Sequence, residues 1–227
     1  MGIKKEVIIG DCRLLLGDCM EIMPLLDKVD AILTDPPYGI GMHKQIGKKK
    51  GEKSDKWNAP DFDTIPASPK SINMMRAISD NQIIWGGNYF DLPATRCFLI
   101  WDKVQRVSFA DCEYAWTNLS VSARVFTFAR SNLQGFRFPE RTHPTQKPVE
   151  LMQWCIKFLP KETITICDPF LGSGSTLVAC AKMGRKGIGI ELDEEYFNIA
   201  CKRVQEAYNS PDMFIEPPKK LTQEKFI

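Results

Sequence analysis

No CxxC pair occurs among the eight cysteines, and only His43 and His143 could join them, so the sequence offers no zinc set. Cys12, Cys19, Cys97, Cys112, Cys155, Cys167, Cys180 and Cys201 therefore read as reduced, mostly buried thiols of a cytoplasmic protein. An apolar run of the roughly eighteen residues that a membrane span needs is missing, and no signal core follows Met1–Glu6. A bulk charge of one sign is missing too. A net charge of +2 excludes holding nucleic acid by overall field, so any such binding must be local.

What is present is ordinary globular composition, 44% hydrophobic and 26% charged over 227 residues, enough for one large domain. Apolar runs alternate with helix-length amphipathic segments, the rhythm of parallel α/β units. Arg13 to Leu16, Cys19 to Leu26 and Val29 to Leu33 form one such block; Thr163 to Cys167, Ser175 to Met183, Gly187 to Ile190 and Glu194 to Tyr208 form another. The two read as halves of one doubly wound sheet. Between them Pro69 to Ser79 reads as a helix and Gln82 to Trp85 as a strand. Cys97 to Trp101, Cys112 to Trp116 and Val121 to Phe128 suggest an antiparallel edge, and Pro148 to Phe158 a helix with proline in its first turn. From Met42 to Lys56 six lysines face two acids, a local charge of +4, which reads as a mobile basic loop spanning residues 42–60. Residues 211–227, with Pro211, Pro217 and Pro218, read as a poorly packed tail.

After the strand ending at Cys167 comes Asp168-Pro169-Phe170-Leu171-Gly172-Ser173-Gly174-Ser175-Thr176, running straight into a helix. Glycines there let backbone pass close under a ligand, and the helix start offers free N–H groups. The next strand ends in Glu191, 17 residues beyond Gly174, where a carboxylate can accept both hydroxyl hydrogens of a ribose. A nucleoside-containing cofactor fits. The third glycine of the dinucleotide fingerprint is absent, which disfavours a pyrophosphate-bearing cofactor; a tight structural turn is the other reading of the loop.

The strand Val29 to Leu33 runs into Thr34-Asp35-Pro36-Pro37-Tyr38-Gly39. Two prolines remove two N–H donors, leaving carbonyl oxygens and the Asp35 carboxylate at the carboxyl end of a strand, where open α/β sheets bind ligands. The exocyclic amine of a nucleobase is a poor nucleophile because its lone pair is delocalised. If Asp35 and the Pro36 carbonyl each accept an amino hydrogen, that lone pair is directed at an electrophile. Tyr38 supplies a π-face for a base swung out of its stack. A plain rigid turn is the competing reading of the tetrapeptide.

Together these residues resemble the amino-group DNA methyltransferases that use S-adenosylmethionine. Asp35-Pro36-Pro37-Tyr38 matches the family's catalytic motif, and Asp168 to Thr176 its cofactor loop. His143-Pro144-Thr145-Gln146-Lys147-Pro148 and Gly17-Asp18-Cys19 are similar to two further motifs. The catalytic motif precedes the cofactor loop, the circularly permuted order of the β group, and the resemblance spans roughly residues 10 to 208. It implies an α/β fold with a Rossmann-like seven-stranded sheet and an antiparallel hairpin, one catalytic domain over residues 1–210. It also implies roles. Asp168, Phe170, Gly172, Ser173, Gly174 and Ser175 would surround the cofactor, Asp18 and Cys19 its adenine, Glu191 its ribose, and Thr145 and Lys147 its methionine carboxylate. Asp at the first place of the turn leans the target toward adenine N6, since cytosine-N4 members more often carry Ser there. No Pro-Cys pair supports cytosine-C5 chemistry. RNA or protein-amide methylation, and a catalytically silent DNA-binding subunit, are the remaining alternatives.

Other residues have two readings. Trp85 to Phe90, with Gly86 and Gly87, lines a target-base pocket or packs the core. Phe98, Trp101, Tyr114, Trp116, Phe126 and Phe128 read as core, and Glu113 as a surface or paired acid, with an inward-facing carboxylate as the alternative. Lys44, Lys48, Lys49, Lys50 and Lys53 are placed to reach DNA phosphates beside the catalytic turn. Residues 89–142 leave only a reduced target-recognition region, so base readout must be economical. A short target sequence is one solution and contacts from a second subunit, in a homodimer, another. Restriction systems and bacteriophages are the usual settings of such compact enzymes.

Overall fold

The computed structural model describes residues 2–41, 65–104, 110–129 and 146–210. Within them one nine-stranded sheet runs through the molecule, made of β1 (Lys5–Ile9), β2 (Cys12–Leu16), β3 (Val29–Thr34), β4 (Ser79–Trp85), β5 (Phe98–Asp102), β6 (Cys112–Thr117), β7 (Arg124–Thr127), β8 (Thr165–Asp168) and β9 (Lys186–Glu191). Their order is β1-β2-β9-β8-β3-β4-β6-β5-β7. The five strands β2, β9, β8, β3 and β4 are mutually parallel, while β6 runs antiparallel to both β4 and β5. The resemblance implied seven strands; the outermost strand at each edge makes the difference. β1 folds back on β2 as a hairpin, and β7 pairs with β5 in parallel, so the expected antiparallel edge holds for β5 and β6 but not for β7. The described part of residues 89–142 supplies β5, β6 and β7.

Parallel strands require cover on both faces, and the near-continuous burial of β3 (Ala31 to Thr34 all buried) satisfies that. Alternation divides the side chains. Leu14, Leu16, Ala31, Leu33, Ile83, Trp85 and Ile166 point to one face, where α3 (Val149–Ile156), α4 (Ser175–Lys182) and α5 (Glu194–Asn209) bring Leu151, Leu177 and Phe197. Leu15, Ile32, Cys167 and Ile190 point to the other, against Ile22 of α1 (Cys19–Ile22) and Ile72 and Met75 of α2 (Pro69–Ala77). Helix starts carry the residues that satisfy their open N–H groups: Asp18, Ser68 and Asp193 each accept from backbone of the first turn. Among the described residues no helix is long and apolar enough to cross a membrane. Of the aromatics assigned to the core, Trp101 and Trp116 are buried, but Tyr114, near the start of β6, is 41% exposed.

The sheet order fixes where a ligand can sit. From β3 the chain proceeds to β4 on one side, and from β8 to β9 on the other, so the strand order reverses between β8 and β3. At such a switch point the loops leaving the carboxyl ends diverge and open a crevice. Asp35 follows β3 and Asp168 ends β8, which brings the two motifs, over 130 residues apart in the chain, to neighbouring strands.

Candidate active site

The Asp-Pro-Pro-Tyr turn folds back on itself. The Tyr38 hydroxyl donates to Asp35 Oδ1, and the Pro37 carbonyl accepts from Ala67 N at 2.9 Å. The Tyr38 ring stacks on Tyr89, with centroids 4.9 Å apart and planes 15° apart, and meets Phe90 edge-on at 6.3 Å. An aromatic wall thus stands beside the carboxylate. Gly86 makes room for it: its φ is +68°, and a Cβ there would sit 2.1 Å from the Tyr38 ring. Gly86→Ala is therefore expected to displace Tyr38 and lower turnover at this site by about tenfold, within the roughly hundredfold cost of a 1 Å misplacement. The check is kcat alongside circular dichroism, which should show an intact fold.

A line of charges runs behind the turn. Lys147 Nζ lies 2.5 Å from Asp35 Oδ2 and 3.0 Å from Glu113 Oε2, and Lys103 Nζ lies 2.5 Å from Glu113 Oε1. The two lysine side chains are 5% and 6% exposed, so four charges alternate in sign in a largely dry space. Buried ions must be paired in this way, since an uncompensated one costs several kcal/mol, of the order of 3–5. Burial raises the Asp35 carboxyl, and Lys147 opposes it. Burial also pushes on Glu113, but Lys147 and Lys103 outweigh it and hold that carboxyl at about 2. Lys147 is lowered by burial, yet Asp35 and Glu113 carry it above its ordinary value, so it stays an ammonium.

The glycine loop lies across the switch point. Asp168 Oδ1 accepts from Thr34 Oγ1 at 2.6 Å and from Phe170 N at 3.1 Å, tying the loop to the strand that bears Asp35. Glu191 Oε2 accepts from Gly172 N at 2.7 Å, and Oε1 from Leu192 N and Asp193 N at 2.9 Å each. Three of a carboxylate's roughly four acceptor positions are thereby filled. Gly172 has φ +52° and open space where a side chain would stand, with nothing within 4 Å of an added Cβ. From behind, the Arg203 guanidinium donates to the Ser173 carbonyl and, at 2.9 Å, to Ser173 Oγ, while Ser175 Oγ donates to the Lys147 carbonyl at 2.8 Å. An open cradle, flanked by two carboxylates and one aromatic, suits a nucleoside. Asp18 caps α1 through Met20 N at 2.8 Å, and its neighbour Gly17 donates to the Glu191 carbonyl at 2.8 Å, so this corner adjoins the cradle. Burial lifts the Cys19 thiol to about 12, leaving it a neutral wall.

These carboxyls give stability a definite pH dependence. Burial raises Asp168 to about 6 and Glu191 to about 7, above their ordinary 3.8 and 4.5. The folded chain then binds more protons than the unfolded one, so their contribution is full at low pH and is lost as pH rises through 6 to 7. Glu113, lowered to about 2, works the other way: its contribution is present above 4.5 and lost as pH falls toward 2. Urea midpoints are expected to be higher near pH 5 than at pH 8, and Asp168→Asn should flatten that decline.

With this geometry in place, comparisons with known proteins become informative. The N6/N4 DNA methylase family model matches residues 110–202. A putative methylase of Escherichia coli K12, YubD, is 29% identical over 216 residues, covering 85% of this chain and 89% of its own length. The type II methyltransferase M2.DpnII of Streptococcus pneumoniae is 48% identical over 63 residues, 28% of this chain and 24% of that protein. The chain is similar to the N6/N4 DNA methylases, by the family model over residues 110–202 and by a relative along most of its length. Of solved structures, the M1.HpyAVI–SAM complex shares the fold at a TM-score of 0.58, with 22% identity over 85% of this chain and 98% of that one. An N6/N4 methylase is an amino-group DNA methyltransferase, which leaves open which base is modified.

In this chain the sheet brings together Asp35, Pro36, Pro37 and Tyr38 on one side of the switch point, and Asp168, Phe170, Gly172, Ser173, Gly174, Ser175 and Glu191 on the other. Thr145 and the basic-loop residues Lys44, Lys48, Lys49, Lys50 and Lys53 lie outside the described residues, as do His143 and the 211–227 tail. Lys147 is at the site, but its ammonium faces Asp35 and Glu113. Sequence reasoning missed Lys103 and Arg203, and it gave Glu113 its default place among surface or paired acids. Among the described residues no cluster of His, Cys, Asp and Glu could hold a metal ion.

Proposed function

We propose that this chain transfers the methyl group of S-adenosylmethionine to the N6 amine of adenine in DNA. The observation that carries this reading is the Asp35 carboxylate, held by Tyr38 and Lys147 beside the Tyr38–Tyr89 stack and one strand away from the glycine cradle. The SAM complex of M1.HpyAVI supports the choice of cofactor. That cofactor supplies an electrophilic methyl group on a sulfonium. The chain's own residues do the rest. Glu191 accepts from ribose hydroxyls, Gly172 and Gly174 let backbone approach, and Asp168 secures the loop. Tyr38 stacks against the extruded base, and Asp35 and the Pro36 carbonyl accept its amino hydrogens, so that the lone pair points at the methyl carbon. The nitrogen–carbon bond forms as the carbon–sulfur bond breaks, and the resulting ammonium loses a proton to Asp35 or water. Cytosine N4 presents the same amine, and Asp at the first place of the turn is what favours adenine.

The basic loop serves this reading as a phosphate contact. Replacing Lys44, Lys48, Lys49, Lys50 and Lys53 by Gln is expected to flatten the salt dependence of DNA affinity, and an unaltered slope would return the loop to a solvated run. The test of the function itself is incubation with S-adenosylmethionine and unmethylated genomic DNA, then nucleoside mass spectrometry and single-molecule sequencing. N6-methyladenine confirms it; N4-methylcytosine moves the assignment to the other base, and no modified base overturns it.

A further inference from the structure

Lys147, expected from the resemblance near the cofactor's methionine carboxylate, pairs with two acidic side chains, and these surroundings point to a further task. Its ammonium has three N–H donors. It donates to Asp35 Oδ2 at 2.5 Å and, at the long distance of 3.4 Å, to the Tyr38 hydroxyl, and it pairs by charge with Glu113 Oε2 at 3.0 Å. Glu113 is itself fixed by Lys103 at 2.5 Å, so the ammonium is held by a second, anchored carboxylate besides Asp35. An acceptor, Asp35, and a donor, Lys147, thus stand side by side next to an aromatic wall.

That pair is complementary to one chemical pattern. Adenine and cytosine each carry an amine that donates and, one carbon away, a ring nitrogen that accepts. Two nitrogens joined through a single carbon have a spacing close to the 2.5 Å between Oδ2 and Nζ. Guanine and thymine present the inverse, a carbonyl beside a ring N–H, and would set oxygen against the Asp35 carboxylate. Resting on the proposed amine methylation, we propose that Asp35 and Lys147 together read this amidine edge. The carboxylate accepts from the amine and the ammonium donates to the adjacent ring nitrogen, with Glu113 as the positioning residue. The base plane is thereby fixed by two parallel hydrogen bonds instead of one, and a base edge with the wrong pattern leaves buried charges facing like partners, which costs far more than a missing contact.

The test is a target-site oligonucleotide, chosen after sequencing has located the modified adenine, in which that adenine is replaced by 1-deazaadenine. The analogue keeps the amine and loses only the acceptor nitrogen, which leaves the amine no poorer as a nucleophile, so a loss reports recognition. Wild-type kcat/KM is expected to fall by about tenfold or more on the analogue, the range for a hydrogen bond to a charged group. In Lys147→Met, slow on adenine itself, the analogue should cost no further loss, and Glu113→Gln should shrink the wild-type analogue penalty. Equal wild-type rates on the two substrates would overturn the proposal without any variant having to fold, as would a penalty that persists undiminished in Lys147→Met. If wild-type enzyme fails on the unmodified oligonucleotide, methylation of adenine itself falls and the edge reading with it.

Discussion

Asp35→Ala is expected to lower kcat by about a thousandfold while leaving cofactor affinity within a few fold. The argument is one of geometry. Asp35 lies on the β3 side of the switch point, and the cradle is built by the loops after β8 and β9. Loss of its carboxylate removes the acceptor that orients the amine and the nearest group to take the departing proton, contributions of roughly 10² to 10⁴ apiece when measured in other enzymes. The cradle's own bonds, from Gly172, Leu192 and Asp193 to Glu191, do not involve it. Lys147 keeps Glu113 as a partner, so the variant is spared an unpaired buried cation. Asp35→Asn sharpens the measurement, because it preserves shape and removes the charge. Isothermal calorimetry for binding and single-turnover methylation for rate separate the two effects. A collapse of cofactor binding with turnover retained at saturation would reverse the role given to this residue.

How far this site could be read from the sequence depended on how local its parts are. Asp35 to Tyr38 and Asp168 to Thr176 are contiguous segments at strand ends, and their chemistry follows from residue types alone. Glu191 follows from one strand–helix–strand spacing. The Lys103–Glu113–Lys147 line is different in kind. Its members sit just past β5, on β6 and just before α3, and they meet because β6 inserts between β4 and β5, an order that alternation along any single strand cannot reveal. The one local hint was Glu113 in an otherwise apolar strand, two residues from the buried Ala115 and so on the same face. Arg203 was equally hidden. It belongs to the polar side of an amphipathic helix by pattern, yet it reaches the backbone of Ser173 thirty residues away. The strand count shifted for a related reason: β1 and β7 are short edge strands whose pairing is set by tertiary context rather than by their own composition.

Glu191→Ala is expected to weaken cofactor binding by roughly a hundredfold or more, with turnover at saturation changed far less. Two losses combine. The carboxylate that would accept from both ribose hydroxyls is removed, and each hydrogen bond to a charged acceptor is worth about 1.5–3 kcal/mol. At the same time the N–H groups of Gly172, Leu192 and Asp193 lose their common acceptor, so the cradle and the turn into α5 loosen together. Glu191→Gln separates the two, since its amide oxygen can still serve one backbone donor while the charge is gone. Because burial lifts Glu191 to about 7, its acceptor form is incomplete below neutrality. Affinity of the wild type should therefore fall as pH drops from about 8 to 6, and the alanine variant should lose that dependence. Calorimetric titration with S-adenosylmethionine across this range reads both effects. An unchanged dissociation constant in Glu191→Ala would remove its ribose role and leave it a purely structural clasp between β9 and the glycine loop.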